Sequence, residues 1–164
     1  MKRFLLISFI ITQAILAQSQ GFEKAIGIRG GWTPGFEYRF YTDDANSYKL
    51  LLGTRDQGLQ LHALKEFHQY DLFTFTDRLT FVYGLGVHAG YERWEEVYVR
   101  DNMRWHDTRT AFLAGLDGLV GLEYLFYEVP ISLGIEAKPY FDLLGEHMFK
   151  LQPFDFAFTI KYLF

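Results

Sequence analysis

The chain has 164 residues, with 16 Lys and Arg against 20 Asp and Glu, and it contains no cysteine. Its formal net charge of −4 argues against a nucleic-acid partner, which would require a basic surface, and the lack of thiols excludes disulfides and thiol chemistry. Seventeen Phe, eleven Tyr and three Trp stand beside fifteen Gly and only four Pro, a mixture typical of closely paired β-strands.

The first segment has the features of a secretory signal peptide. Lys2 and Arg3 precede an apolar run that extends to Ala17. This run is shorter than the roughly 20 apolar residues that a membrane-spanning helix requires, and a basic start before a short apolar centre is typical of a cleaved leader. We therefore predict a signal peptide over residues 1–17, export of the chain, and a single domain over residues 18–164. An uncleaved anchor or a buried amino-terminal helix is the weaker interpretation.

The remaining chain alternates apolar and polar side chains with a period of two, the pattern of strands with one apolar face. Turn signals or polar breaks separate the segments, as at residues 33–35, 42–47 and 56–58. No convincing amphipathic helix interrupts them. The predicted strands cover residues 24–32, 36–41, 48–55, 59–64, 79–92, 112–126, 131–138 and 154–164.

Two all-β architectures share this alternation. A transmembrane barrel turns its apolar face to lipid and its polar face inward, whereas a soluble lipocalin-like barrel encloses an apolar calyx. The apolar face is nearly free of charge in the second half, aromatic residues gather near strand ends, and the polar face carries both signs of charge. These features favour an eight-stranded antiparallel up-and-down transmembrane β-barrel. A secreted soluble barrel that binds an apolar ligand is the alternative.

In a transmembrane barrel the polar face would line the lumen, where charges must pair because an unpaired buried charge is costly. Eight strands enclose an interior just wide enough for side chains, so we predict a filled lumen without a channel larger than a few water molecules. The predicted lumen network comprises Arg29, Glu37, Arg39, Arg55, His62, His88, Glu92, Asp117, Glu123, Glu136, Lys138 and Lys161.

The last eleven residues place an aromatic or apolar side chain at every second position and end on Phe164. With this ending, the leader, and the glycine-spaced segments 25–31 and 116–124, the chain resembles the small eight-stranded outer-membrane β-barrel proteins of Gram-negative bacteria, of the OmpX and OmpA transmembrane-domain type. The resemblance implies an outer-membrane location in contact with lipid, and a monomer is expected. It also implies that Ile160, Tyr162 and Phe164 form the signal that the barrel-assembly machinery recognises.

With both ends in the periplasm, the odd-numbered connections of a meander would lie outside the cell. The fifth, over residues 93–109, is the longest, and its alternation predicts a protruding hairpin with its tip at Asp101-Asn102. Its candidate contacts to an extracellular protein or surface ligand are Trp94, Tyr98, Arg104, Trp105 and His106. A solvated hairpin without a partner is an equally good interpretation. A short first connection and a long fourth leave the orientation of the first hairpins open.

The sequence shows no constellation of catalytic residues. Its five histidines lack a metal-ligand spacing, and the pair His106-Asp107 is common in polar loops. Two of the four serines, Ser8 and Ser19, lie at the amino terminus, Ser47 is expected in a turn, and Ser132 would face the lumen. None has an evident partner for nucleophilic catalysis. We therefore predict no enzyme, cofactor or metal site, and a structural or surface-interaction role, with a lipid A-modifying enzyme as a further alternative.

Overall fold

The computed structural model describes residues 22–55, 57–100, 103–126, 128–145 and 149–164. The side chains at positions 98–100, 103 and 105 are outside this description, as is the predicted leader over residues 1–17. Every described regular element is a β-strand. The strands are β1 (Lys24–Gly31), β2 (Gly35–Asp43), β3 (Asn46–Arg55), β4 (Gly58–Gln69), β5 (Leu79–Arg100), β6 (Met103–Phe126), β7 (Ile131–Ala137), β8 (Tyr140–Leu144), β9 (Lys150–Gln152) and β10 (Phe156–Leu163).

The sheet closes on itself because β1 pairs with strands at both of its edges. On one side β1 pairs with β2, with Ile26 opposite Tyr38. On the other it pairs with β10, with Ala25 opposite Leu163. All pairings are antiparallel, and consecutive strands are neighbours up to β7, which then pairs with β10. The prediction of an eight-stranded antiparallel barrel is confirmed.

Ten strands occupy eight positions around the barrel, because two of these positions are each divided between two strands. β7 and β8 both pair with β6, with Ala137 opposite Val120 and Tyr140 opposite Asp117. The interruption between them contains Pro139, and the one between β9 and β10 contains Pro153, residues that cannot donate a backbone hydrogen bond. The backbone nevertheless stays paired across the first break, where the Gly118 N–H donates to the Pro139 carbonyl at 2.8 Å.

The predicted polar break over residues 42–47 is wrong. β2 continues to Asp43 and β3 begins at Asn46, so only Asp44 and Ala45 form the turn. The Asp43 carboxylate accepts hydrogen bonds from the Ala45 backbone N–H at 2.9 Å and from Asn46 Nδ2 at 2.8 Å. A local side-chain bond of this kind stabilises a tight turn, which a run of polar residues does not distinguish from a loop. β4 likewise extends beyond its predicted end, to Gln69.

The alternation of burial along the strands runs opposite to that of a water-soluble protein. In β10 the side chains of Phe156, Phe158 and Ile160 are exposed, whereas Thr159 and Lys161 are buried. Among the described residues 35 large apolar side chains are exposed, against nine buried hydrophobic residues and 23 buried polar or charged ones. The barrel interior is therefore polar, which excludes an apolar calyx in the described part of the chain. No described helix is long and apolar enough to cross a membrane.

Candidate functional site

The interior of the barrel holds the densest group of chemically active side chains. The structure places every residue of the predicted lumen network inside the barrel, with at most 8 % of its surface exposed. The predicted network did not include four further buried charges, on Lys49, Glu66, Asp142 and Asp155. The period of two places Lys49, Glu66 and Asp155 on the inward face, because they lie two residues from the inward-facing Leu51, Leu64 and Ala157. Asp142 lies in β8, where the sequence predicted no strand.

The middle of the lumen is filled by a central ion cluster of four cations and four carboxylates. Arg39 Nε lies 2.6 Å from Glu66 Oε2 and its Nη1 lies 2.8 Å from Glu123 Oε2. Lys49 Nζ lies 2.7 Å from Glu136 Oε2. Arg29 Nη2 also lies 3.2 Å from Asp155 Oδ1, so every ion of the cluster has opposite charges beside it, which offset its loss of water. The cluster comprises Arg29, Arg39, Lys49, Lys161, Glu37, Glu66, Glu123 and Glu136.

Little space remains between these side chains. A cavity beside Arg39, Glu123, Glu136 and Lys161 has a volume of about 10 Å³, roughly enough for one water molecule. The two mouths of the barrel are wider, with cavities of about 460 Å³ and 210 Å³. In the described part of the chain, ion pairs therefore occupy the middle of the lumen between two wider ends.

A histidine–aspartate cluster, formed by His62, His88, Asp117 and Asp142, lies in the half of the barrel away from the chain termini. His62 Nδ1 lies 2.7 Å from Asp117 Oδ2, and His88 Nδ1 lies 3.0 Å from Asp117 Oδ1. His88 Nε2 lies 2.9 Å from Asp142 Oδ1. Lys138 Nζ approaches Asp117 Oδ1 at 3.3 Å and His62 Nδ1 at 3.4 Å. Two imidazoles and two carboxylates therefore meet beside one ammonium group.

Strand register brings this cluster together. His62 lies directly opposite His88 across β4 and β5, His88 lies opposite Gly115 of β6, and Gly115 lies opposite Asp142 of β8. A Cβ atom on Gly115 would clash with the Phe141 carbonyl oxygen and come within 2.7 Å of His88 Cε1. The absence of a side chain at this position therefore allows the imidazole to reach across β6 to Asp142.

The mouth at the end with the chain termini contains a serine–histidine contact that the sequence analysis missed. Ser47 is not in a turn but lies buried in β3, with its Oγ 2.8 Å from His68 Nε2. The hydroxyl also donates to Glu66 Oε2 at 3.1 Å. Because a serine has one hydrogen to donate and a carboxylate only accepts, His68 serves as the donor to Ser47. A general base would instead accept the serine proton.

Beyond the barrel, β5 and β6 continue as a two-stranded ribbon over residues 93–110. Its pairing runs from Arg93 opposite Thr110 to Arg100 opposite Met103, whereas β4 pairs with β5 only as far as Tyr91. The predicted tip at residues 101–102 lies outside the described residues. Trp94 is half-buried and Arg104 and His106 are exposed, whereas the side chains of Tyr98 and Trp105 are outside the description.

The residues of the predicted assembly signal lie on the outer face of the closing strand. Ile160, Tyr162 and Phe164 are each between 38 % and 50 % exposed. The Phe164 backbone N–H donates to the Lys24 carbonyl at 2.9 Å, and the Lys24 N–H donates to the Phe164 carbonyl at 3.0 Å. The last residue of the chain is therefore part of the seam that closes the barrel.

No protein-family model matches this chain, and no curated protein matches it significantly. Among solved structures, the chain is similar to the crystal structure of the N-terminal β-barrel domain of Pseudomonas aeruginosa OprF. The TM-score is 0.45 and the sequence identity is 12 %, over 88 % of this chain and 100 % of that one. The functional interpretation therefore depends on the geometry of the barrel itself.

Proposed function

We propose that this chain is an integral outer-membrane β-barrel protein of a Gram-negative bacterium, of the OmpX and OmpA transmembrane-domain type. Its role is structural or in surface interaction rather than catalytic. The observation that carries the proposal is the inverted distribution of side chains, with apolar residues outside a closed barrel and ion pairs inside.

The outer wall of the barrel is suited to lipid rather than to water. Phe36, Leu85 and Phe158 expose 71 %, 73 % and 74 % of their surfaces, and they belong to different strands. Soluble monomers rarely expose a contiguous apolar surface of more than a few hundred Å², whereas lipid-facing strands require one. Closure of the sheet also removes unpaired strand edges, which a bilayer does not tolerate.

Aromatic side chains concentrate at the rims of this apolar band. At the end with the chain termini, rings contact one another in the pairs Phe40–Tyr48, Phe67–Tyr83, Tyr124–Phe126 and Tyr162–Phe164. At the opposite end Trp32 contacts Phe156 edge-to-face. Amphipathic rings favour the boundary between lipid and water, so this arrangement supports a band that spans a bilayer.

The ribbon over residues 93–110 supplies the proposed interaction surface. Eight residue pairs at about 3.3 Å per residue make it roughly 26 Å long. Its exposed residues are mostly polar, with Arg109 Nε 2.7 Å from Glu96 Oε2 and His106 Nδ1 3.7 Å from Glu95 Oε2. With the termini in the periplasm the ribbon would project from the cell surface, where an extracellular protein or other surface ligand could contact it.

Two observations support a role without catalysis. The hydroxyl of Ser47 already donates its hydrogen to Glu66, so His68 is not arranged as its base. The ion pairs of the central cluster fill the lumen, which favours a plugged barrel over a pore for solutes.

Cell fractionation tests the membrane placement. We expect the protein to require detergent for extraction and to migrate faster in unboiled than in boiled SDS gels, as a closed barrel resists unfolding by SDS. Release by osmotic shock as a soluble monomer would overturn the proposal.

Cysteine labelling tests the orientation, because the chain has no cysteine of its own. Thr108→Cys lies on the exposed part of the ribbon and Ala45→Cys lies in the turn at the opposite end. On intact cells a membrane-impermeant maleimide should label Thr108→Cys and leave Ala45→Cys unlabelled until the outer membrane is opened. The reverse pattern would show that the barrel is oriented the other way.

A further inference from the structure

We propose that the histidine–aspartate cluster binds a late first-row divalent transition metal such as Zn²⁺. His62, His88 and Asp117 would be its ligands, with Asp142 as a fourth donor. One ligand atom from each of the first three residues lies within 4.8 Å of the others. Imidazole nitrogen and carboxylate oxygen together are the donors that such metals favour, whereas Mg²⁺ and Ca²⁺ prefer oxygen alone. This inference does not rest on the membrane placement of the barrel.

The backbone holds these donors in place without a flexible loop. His62, His88 and Asp117 come from the adjacent strands β4, β5 and β6, and none of their side chains is accessible to solvent. Sites built on strands are more rigid than sites on loops. In addition, His62 Nε2 is buried without a hydrogen-bond partner among the described residues, so this ring has a nitrogen still available.

The charge balance of the interior also favours a dication. The described residues include six buried Lys and Arg side chains and eight buried Asp and Glu side chains. Asp155 bridges the two halves of the lumen, because its carboxylate lies 3.2 Å from Arg29 Nη2 and 3.5 Å from Lys138 Nζ. Around the histidine–aspartate cluster, Arg55 and Lys138 lie with Asp117, Asp142 and this shared Asp155. An excess of negative charge in a region of low dielectric is costly, and a divalent cation would offset it.

The ammonium group of Lys138 is a cation that already lies beside the cluster. It contacts Asp117 at 3.3 Å and lies 3.5 Å from Asp155 Oδ2. A metal ion at Asp117 would repel the ammonium, and Asp155 offers it a second carboxylate to which it can move. Lys138 is therefore an internal competitor of the metal, and its removal should strengthen metal binding. A cluster with a purely structural role would not show this effect.

One mouth of the barrel approaches the cluster. The cavity of about 210 Å³ at this mouth is lined by Thr33, Arg55, Tyr140 and Asp155, among others. Arg55 Nη2 lies 3.0 Å from Asp142 Oδ2, so a side chain in the wall of the cavity directly contacts one of the proposed donors. An ion entering from this mouth would have to displace Arg55 to reach Asp142.

Metal titration of the folded full chain in detergent micelles, without a histidine tag, tests the proposal. Zn²⁺ would be added in competition with a chromophoric chelator at constant pH, and Mg²⁺ in a parallel titration. We expect one Zn²⁺ per chain and no response to Mg²⁺. His62→Gln, His88→Gln and Asp117→Asn should each weaken binding by about tenfold or more, whereas Lys138→Met should tighten it by a similar factor.

His106→Gln is the matched control, since His106 lies exposed on the ribbon, and it should leave Zn²⁺ binding unchanged. Failure of the wild type to bind Zn²⁺ would overturn the proposal, as would unchanged binding in His62→Gln and His88→Gln. If a ligand variant does not fold, NMR of the wild type decides. Zn²⁺ should then shift the imidazole resonances of His62 and His88, and a shift confined to other histidines would contradict the site.

Discussion

The barrel and its ribbon contain the same ion pair in two environments. In the barrel, Arg39 Nε lies 2.6 Å from Glu66 Oε2, and the two side chains are 2 % and 0 % exposed. In the ribbon, Arg109 Nε lies 2.7 Å from Glu96 Oε2, and the side chains are 50 % and 41 % exposed. The two Nε–Oε2 distances differ by only 0.1 Å, whereas the exposure of the two pairs to water is very different.

Distance alone therefore does not determine how much an ion pair contributes to the free energy of unfolding. Water screens the exposed pair and can replace either partner, so such pairs contribute about 0–1 kcal/mol. Inside the barrel no water replaces a lost partner, and the remaining charge is left uncompensated. We therefore expect the interior pairs to be required for folding and the ribbon pairs to be largely dispensable.

The largest effect is expected from Glu66→Gln. This change leaves the guanidinium of Arg39 and the ammonium of Lys49 without one of their carboxylates, and removing one partner of a buried pair costs about 3–5 kcal/mol. Urea unfolding of the protein in lipid vesicles measures the free energy of unfolding. Glu96→Gln is the control and should change it by less than about 1 kcal/mol; equal losses in the two variants would refute the comparison.

An arginine placed on the outer face should destabilise the barrel wall but not the ribbon. Leu85 and Val97 lie on β5 and are 73 % and 52 % exposed, but only Leu85 lies within the barrel wall. Leu85→Arg should lower the free energy of unfolding in vesicles by about 2–4 kcal/mol, the cost of a cation facing the bilayer centre. Val97→Arg should have almost no effect. A neutral result for Leu85→Arg would argue against lipid contact at this position.

A smaller loss of stability is expected from a substitution that crowds the histidine–aspartate cluster. In Gly115→Ala the new Cβ would clash with the Phe141 carbonyl oxygen and lie 2.7 Å from His88 Cε1, and overpacking of this kind costs about 1–3 kcal/mol. Gly30→Ala is the matched control, because a Cβ there has no neighbour within 4 Å. Thermal unfolding monitored by gel mobility should show a lower midpoint for Gly115→Ala only. A lower midpoint in both variants would point to strand propensity rather than to the cluster.

The smallest effect is expected from Arg109→Ala, which removes the exposed pair with Glu96. The free energy of unfolding should fall by about 0.2–1 kcal/mol, and the difference should shrink at 1 M salt, where screening extends over only about 3 Å. Urea unfolding at low and high salt provides the measurement. A loss as large as that of Glu66→Gln would mean that the ribbon is packed against a surface that the described residues do not include.

Much of the barrel could be predicted from the sequence because a strand alternates its faces with a period of two. This single regularity places Arg29, His88 and Lys161 on the inward face and Phe158 on the outward face without any knowledge of the partners. The turn at Asp44 and Ala45 was not predicted in the same way. Polar residues there indicated a loop, whereas hydrogen bonds to Asp43 hold two residues in a tight turn.

The sequence by itself determined the eight strand positions of the barrel, their two faces and the polar nature of the interior, since these depend on local periodicity. Only the tertiary structure decided where two of those positions are interrupted and which charges meet. Arg29 bonds Glu136 across 107 residues, and His62 bonds Asp117 across 55. Such contacts depend on strand register and on closure between β1 and β10, which are set by pairing around the whole barrel. The meeting of His88 with Asp142 follows from the same long-range pairing, whereas Ser47 meets His68 across the pairing of β3 with β4.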